Sequence, residues 1–424
     1  SDASIQGIAN LTMQGLAATT DGAAEATSLA DQVFGAELDT LDVGGVASVT
    51  GQATYAGNAS GQTVVGNSDG TANLSTAQGL TNLTSINVAS DATLTGLASI
   101  ANNASAASTS GGAANASAVA DTLKGADLQL TDIGGVGTIG GQVTFGSKAD
   151  AANVTGAATA SADLTDLAVG LQANGDTTIS SDASIQGIAN LTMQGLAATT
   201  LGAADATSAA EDLKGATLDD LTVGGTAKIK GQVAFSGKAS ASNVEGGNST
   251  ALSSLDSVDG LEAITSVASD ATIAGLASIG LQASAESTNG DLARATADLG
   301  SGLSGAEVEA QIGGIANITG QAGLTSSASA KNVSGNSDAI GTASNSDGLV
   351  ADLLVASDAT LKGLANINST ATAATTNGSA TADANGDNIT AANLWLEAGG
   401  TANITAQANF AFTANASNVE GGDV

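Results

Sequence analysis

Apolar and polar residues alternate in short runs along this chain. In one run the residues on one side of an extended backbone would be Ile229, Gly231, Val233 and Phe235, and those on the other side Lys228, Lys230, Gln232 and Ala234. A period of two is typical of a half-buried β-strand. The pattern therefore predicts a strand here and in the four similar runs described below.

A second strand is predicted before each of these runs. In GAELDTLDV from Gly35, alternation places Leu38, Leu41 and Val43 inward and leaves Asp39 and Asp42 in water. Similar sequences begin at Gly125 and Gly215. Clusters of Asn, Asp, Gly and Ser separate the runs and predict turns, because these residues tolerate left-handed backbone.

The chain is built from five related units. SDASIQGIANLTMQGLAATT at 1–20 returns unchanged at 181–200, and weaker copies begin at Ser90, Ser269 and Ser357. The predicted repeats of about 88–91 residues are therefore 1–89, 90–180, 181–268, 269–356 and a truncated fifth, 357–424, in one continuous body.

Each unit contains a second landmark, Gly-Gly followed by an alternating run. GIANLTMQG from Gly7 closely matches GIANITGQA from Gly314, which predicts about ten copies of one element at steps alternating between about 38 and about 50 residues. The last inward position of the Gly-Gly run predicts a ladder of stacked core side chains: Tyr55, Phe145, Phe235, Leu324 and Phe410.

These features predict an all-β, elongated parallel β-solenoid. The chain has no proline, so every residue keeps the N–H that a continuous ladder needs. Coils of about 22 residues would give about nineteen coils and a body about 90 Å long. A meander or tandem small β-sandwich units are the alternatives, and a helix-dominated fold is disfavoured by the density of Gly, Thr, Ser and Asn.

Composition excludes several functions. The net charge is −32, with 9 basic and 41 acidic residues, and there is no Cys or His. Thiolate or imidazole zinc sites and Ser-His-Asp or Cys-His catalysis are therefore excluded. So few basic residues predict no nucleic-acid partner, and the apolar runs are too short to span a membrane.

Two kinds of candidate site remain. Turns rich in Asp, Asn and Gly offer weak calcium candidates at Asp69, Asp176, Asp338 and Asp347, although no GGxGxD or EF-hand loop is present. Otherwise we expect no cofactor. Sixteen Asn-X-Ser/Thr triplets occur, and the candidate glycan acceptors among them include Asn10, Asn58, Asn190, Asn317, Asn403 and Asn415.

Two other functions are disfavoured. An ice-binding solenoid needs a regular Thr array, but pairs such as Thr19–Thr20 do not recur in every coil. A polysaccharide-cleaving β-helix needs carboxylates clustered with Lys or Arg, whereas Arg294 and eight lysines are scattered among the repeats. We therefore expect that the protein is not an enzyme.

In its repeat texture the whole chain resembles secreted bacterial and archaeal β-solenoid proteins, which include extracellular fibre subunits and adhesin stalks. The run GNASGQTVVGNSDGTAN at 57–73 also resembles curli-type repeats, although the units here are much longer. The resemblance implies secretion, an extracellular or cell-surface location, self-assembly, and contact with surface glycans or other cells.

The sequence also predicts how copies would join. Full-strength repeat sequence begins at Ser1, and the last residues lie inside a repeat, so no capping sequence is evident at either end. We expect a structural subunit of a filament, sheath or surface layer, joined head to tail to copies of itself. The alternative is the stalk of a secreted adhesin that presents a binding tip.

Overall fold

The computed structural model describes residues 1–420 and contains twenty β-strands and no helix in that range. Nearly all strands are 19–22 residues long, and every pairing is parallel. The strands are β1 (Ala3–Asp21), β2 (Ala24–Val43), β3 (Ala47–Val65), β4 (Ser68–Val88), β5 (Ala92–Ser110), β6 (Ala114–Leu128), β7 (Leu130–Ile133), β8 (Gly137–Thr155), β9 (Ala158–Ile179), β10 (Ala183–Leu201), β11 (Ala204–Val223), β12 (Ala227–Glu245), β13 (Ser249–Val267), β14 (Ala271–Asn289), β15 (Leu292–Ile312), β16 (Ala316–Ser334), β17 (Asn336–Val355), β18 (Ala359–Asn377), β19 (Ala380–Ala398) and β20 (Ala402–Asn418).

These strands form two parallel sheets, so the predicted all-β parallel solenoid is confirmed. One sheet has the order β1-β3-β5-β8-β10-β12-β14-β16-β18-β20. The other has the order β19-β17-β15-β13-β11-β9-β6-β4-β2, with β7 completing the row of β6. The chain passes from one sheet to the other after every strand except β6, which β7 continues in the same sheet, and one row from each sheet makes one coil.

The coil is twice as long as the sequence analysis predicted. Ala3 pairs with Ala47 and Ala47 with Ala92, and successive coils are offset by 43 to 46 residues throughout. The estimates of 22-residue coils and a 90 Å body are therefore wrong. Ten strands at about 4.8 Å spacing give about 45 Å along the axis, and each 19-residue strand extends about 60 Å across it.

The alignment of the half-repeats was also wrong. Gly7 pairs with Gly51, and the same column of the sheet reaches Gly320 in the eighth coil. Gly314, which the sequence match pairs with Gly7, lies six residues before Gly320, in a turn. With the correct register, the alternating steps of about 38 and 50 become nearly uniform, and each sequence repeat spans two coils.

The two sheets differ in regularity. Every pairing in the sheet that contains β1 keeps a constant offset from end to end, and we call this the flat sheet. Six pairings in the other sheet contain register shifts, for example between Leu218 and Leu221, and we call this the bulged sheet. A β-bulge inserts a residue and bends its strand locally.

A column of glycines in each sheet divides the interior. In the flat sheet it runs from Gly7 to Gly363, and in the bulged sheet from Gly35 to Gly348. A Cβ atom added at Gly141 would lie 2.0 Å from the carbonyl oxygen of Gly170, and the other flat-sheet glycines of the column give 2.0–2.2 Å. The backbones therefore touch along this line, which we call the glycine waist, and no side chain fits there.

The waist separates two apolar cores. The larger core contains the Tyr55 and Phe145 side chains together with many alanines. The smaller core contains aliphatic residues such as Val49, Leu94 and Ile133. Small side chains suit both cores because the sheets converge at the waist and at the turns.

Turns of two types alternate along the axis. In odd-numbered coils Ser-Asp precedes the flat-sheet strand, and in even-numbered coils Gly-Gly precedes it. The Asp182 Oδ1 atom accepts a hydrogen bond from the Thr226 N–H of the next coil at 2.8 Å, and Asp2, Asp91, Asp270 and Asp358 make the same bond at 2.7–3.0 Å.

The second glycine of each Gly-Gly turn makes room for this carboxylate. A Cβ atom at Gly45, Gly135, Gly225, Gly314 or Gly400 would lie 2.2–2.4 Å from the Asp oxygen. This Asp–Gly clasp needs one partner from each of two successive coils. It accounts for a sequence period of two coils in a structure whose backbone repeats every coil.

Candidate functional surfaces

Charge is divided very unevenly between the two sheets. The flat-sheet strands carry six lysines and four acidic residues, a net charge of +2. The bulged-sheet strands carry three basic and 29 acidic residues, a net charge of −26. Most of the acidity of the molecule is therefore on one side.

The outer surface of the flat sheet is made of columns of neutral polar residues. Equivalent side chains hydrogen-bond along the axis, as between Asn103 and Asn58 at 3.1 Å and between Ser105 and Ser60 at 3.0 Å. Next to the waist, one outward column alternates strictly between an aliphatic residue and glutamine: Ile8, Gln52, Leu97, Gln142, Ile188, Gln232, Leu276, Gln321, Leu364 and Gln407.

The outer surface of the bulged sheet carries partly buried acidic side chains. Beside the waist, Lys214 lies 2.8 Å from Glu262 and 3.8 Å from Asp259. Burial raises the pKa of Asp259 to about 6, although Lys214 opposes this shift. Burial also raises the pKa of Asp163 and Asp212, which lie near a second β-bulge, at the register shift between Ala210 and Asp212.

A shallow depression at this bulge collects acidic groups. It has a volume of about 610 Å³, and its lining includes Asp163, Glu211, Asp256 and Asp298. Among residues 1–420, however, no three acidic side chains are placed to share a metal ion.

The four calcium candidates lie apart from one another. Asp69 accepts a hydrogen bond from Asn115 at 2.8 Å, and Asp338 pairs with Arg294 at 3.0 Å. Asp176 is exposed and lies in register with Asp220 of the next coil. Asp347 is half-buried, and burial raises the pKa of its carboxyl group. The structure therefore brings no two of the candidates into one site.

The residues assigned to the ladder share one column, but they do not touch in sequence order. Ile100, Leu191, Ile279 and Ile367 lie between them, so aromatic and aliphatic side chains alternate except at Leu324, which is itself aliphatic. Tyr55, Phe145, Phe235 and Leu324 are almost completely buried, whereas Phe410 is 65% exposed. Among the described residues no bulged-sheet strand covers the end of the stack beyond β19, so one face of β20 is open.

The buried Tyr55 has partners for its hydroxyl group. Its Oη atom lies 3.3 Å from the Ser28 Oγ and donates to the Asn73 carbonyl oxygen at 3.4 Å. Burial raises the pKa of Tyr55. These contacts fit a packing role for Tyr55.

The six candidate glycan acceptors named above all lie on the flat sheet, on outward columns. Asn10, Asn317, Asn403 and Asn415 are exposed, while Asn58 and Asn190 are half-buried. Their side chains therefore face the same surface. The alternation pattern could have indicated this placement, but only the register shows that the six share one sheet.

The edge strands leave backbone groups unpaired. The flat sheet ends at β1 and β20, and each pairs on one side only in the described structure. Apolar side chains are exposed on both strands, including Ile8 and Leu16 on β1 and Ile404 and Phe410 on β20. Open edges of this kind can pair with further strands.

The described part of the chain has no helix long and apolar enough to cross a membrane. Comparison with protein-family models, curated proteins and solved structures finds no match to this chain. Functional inference therefore depends on the surfaces described above.

Proposed function

We propose that this chain is a structural subunit of an extracellular filament, sheath or surface layer, and that copies join end to end through their open coil edges. The observation that carries the proposal is the flat sheet, whose ten strands keep one register and end in two unpaired edges. Such a ladder resists unfolding and offers a template for a further strand at each end.

The residues at the two edges would continue the internal pattern. β20 follows a Gly-Gly turn and β1 follows a Ser-Asp turn, so β1 stacked on β20 keeps the alternation of turn types. Within the molecule, Ala47 donates its N–H to the Asp91 carbonyl oxygen at such a step, at 3.0 Å. At the joint, Ala402 would donate in the same way to Asp2 of the next copy.

The side-chain columns also match across this joint. Gln407 would meet Ile8, and Phe410 would meet Leu11, which continues both alternating columns. A strand of the bulged type, from one chain or the other, would fill the position opposite β20. Covering Phe410 and Phe412 in this way would remove exposed apolar surface from water.

Electron microscopy of the purified chain over a concentration series tests the proposal. We expect filaments with an axial rise of about 48 Å per ten coils and a layer line at about 4.8 Å. Phe410→Lys should block growth, because it places a charge on the joining face, whereas Ala411→Lys on the outward side of β20 should not. Dispersed single particles at every concentration would contradict the proposal and favour an adhesin stalk.

A further inference from the structure

The two outer faces of the solenoid have similar areas but opposite character. Solubility alone would be served by charge on both faces, yet the flat-sheet strands have a net charge of +2 and the bulged-sheet strands −26. Asp150 and Glu286 are the only acidic side chains on the flat sheet away from its strand ends within residues 1–420. The flat face thus differs from the rest of the surface in a way that the fold does not require.

The flat face is also regular and large. None of its nine strand pairings contains a bulge, and Ser, Thr, Asn, Ala and Gly fill many of its outward positions. About 60 Å by about 45 Å gives roughly 2,700 Å² per copy, whereas a standard interface takes about 800 Å² from each partner. Aliphatic side chains such as Leu97, Ile188 and Leu276 add apolar surface at every second position of one column along this face.

We propose that the flat sheet is a lateral interface, through which two copies of this chain associate face to face. The contact goes beyond end-to-end growth and does not depend on it. Both copies use the same surface, as in the two-fold symmetric contacts that predominate among homo-oligomers.

The distribution of charge favours contact between the flat faces of two copies of this chain. Facing sheets lie about 10 Å apart, close to the screening length of about 8 Å at physiological salt. Two acidic faces would therefore repel one another at this separation, whereas two faces on which carboxylates are sparse would not. Two flat faces meet this condition, and their contact leaves both acidic faces in water.

The first experiment compares two double variants by sedimentation equilibrium. Thr272→Asp with Ser278→Asp adds two charges to exposed flat-sheet positions, and Thr222→Asp with Ser266→Asp adds the same charges to exposed bulged-sheet positions. All samples carry Phe410→Lys to block end-to-end growth, and in that background we expect the chain without added Asp residues to be a dimer at micromolar concentration. The flat-sheet variant should weaken dimerisation by at least 100-fold, because a symmetric contact brings the added charges of both copies together. The bulged-sheet variant should weaken dimerisation by less than about threefold.

The second experiment needs no variant. Amine labelling followed by mass spectrometry compares each lysine in dilute and concentrated samples. The flat-sheet lysines, including Lys148 and Lys238, should lose reactivity on concentration, while Lys124 and Lys214 on the bulged sheet should not. Neither β1 nor β20 carries a lysine, so end-to-end joining does not produce this result.

Three results would overturn the proposal: a chain without added Asp residues that stays monomeric up to millimolar concentration, equal weakening by both double variants, or equal protection of lysines on both sheets.

Discussion

The flat and bulged sheets are made from strands of similar length, in one chain and around the same two cores, yet they present different surfaces. The flat sheet keeps one register across ten strands, whereas the bulged sheet shifts register in six pairings and carries most of the acidic residues. The difference shows that inward columns and turns are enough to define the coil. Outward columns are then free to diverge.

The two sheets meet the same constraint at the glycine waist. Each contributes a column of glycines there, because a side chain on either sheet would collide with the backbone of the other. Four variants test how far the sheets depend on this shared interior and where they differ.

The largest effect is expected at the waist. Gly141→Ala would place a Cβ atom 2.0 Å from the Gly170 carbonyl oxygen and force the sheets apart. We expect the free energy of unfolding to fall by about 4 kcal/mol, at the upper end of overpacking effects. Chemical denaturation measures it. Gly140→Ala is the matched control on the same strand, where no atom lies within 4 Å of the added Cβ. A similar loss of stability in this control would contradict the proposed backbone contact at the glycine waist.

A somewhat smaller effect is expected in the larger core. Phe145 is 1% exposed and Phe410 is 65% exposed, although both occupy the same column. Phe145→Ala should lower the free energy of unfolding by about 3 kcal/mol, because it leaves a cavity, and Phe410→Ala by less than about 1 kcal/mol. Thermal unfolding of dilute samples compares the two, and equal losses would show that burial does not govern this column.

The bulged sheet should lose stability at neutral pH through Asp259. Because burial raises the pKa of Asp259 to about 6, its contribution to stability is fully present below pH 3.8 and is lost as the pH rises through 6. Asp259→Asn should therefore stabilise the protein at about pH 7.5, by roughly 2 kcal/mol or less, and have little effect at about pH 3.5.

The measurement is the difference in melting temperature between variant and wild type at the two pH values. Asp205→Asn, at an exposed position of the bulged sheet, is the control and should give the same small difference at both. A constant difference for Asp259→Asn would contradict the assignment.

The smallest effect is expected at the Asp–Gly clasp. The Thr226 N–H, and then the Thr226 hydroxyl, lower the pKa of Asp182, so its contribution is present above the ordinary Asp pKa and is lost as the pH falls through the lowered value. Asp182→Ala should lower the melting temperature at pH 7 more than Asp205→Ala does. The gap between the two variants should close in strong acid, and a gap that persists there would argue against a role for the charge.

Sequence patterns predicted much of this fold. The alternation at 228–235 predicted which side chains are buried, and Ile229, Val233 and Phe235 are buried as expected. Turn residues and the lack of proline predicted a continuous parallel ladder. The predicted coil length was wrong because one 19-residue strand has the same alternation as two shorter strands joined by a turn. The Gly-Gly and Ser-Asp turns also differ in sequence, so the sequence did not indicate that they occupy equivalent positions in successive coils.

The candidate surfaces were less predictable. The numbers of acidic and basic residues determine the net charge, but they do not show that the charge lies mainly on one sheet. That distribution depends on the register, which determines which residues of successive coils lie side by side. Asp69 and Asp338 were chosen for their turn-like surroundings, yet both lie within long strands and have hydrogen-bonding partners. The glycine columns were visible in the sequence, but their contact depends on two sheets facing each other.

The sequence by itself determined the strand faces and the five-fold repetition, since each depends on residues close together in the chain. The turns predicted around Asp176 and Asp347 were wrong, because both residues lie within strands, β9 and β17. Only the tertiary structure decided the size of the coil, the division of the core at the waist and the collection of charge on one sheet. These depend on residues about 44 positions apart, which lie side by side only after the coil has closed.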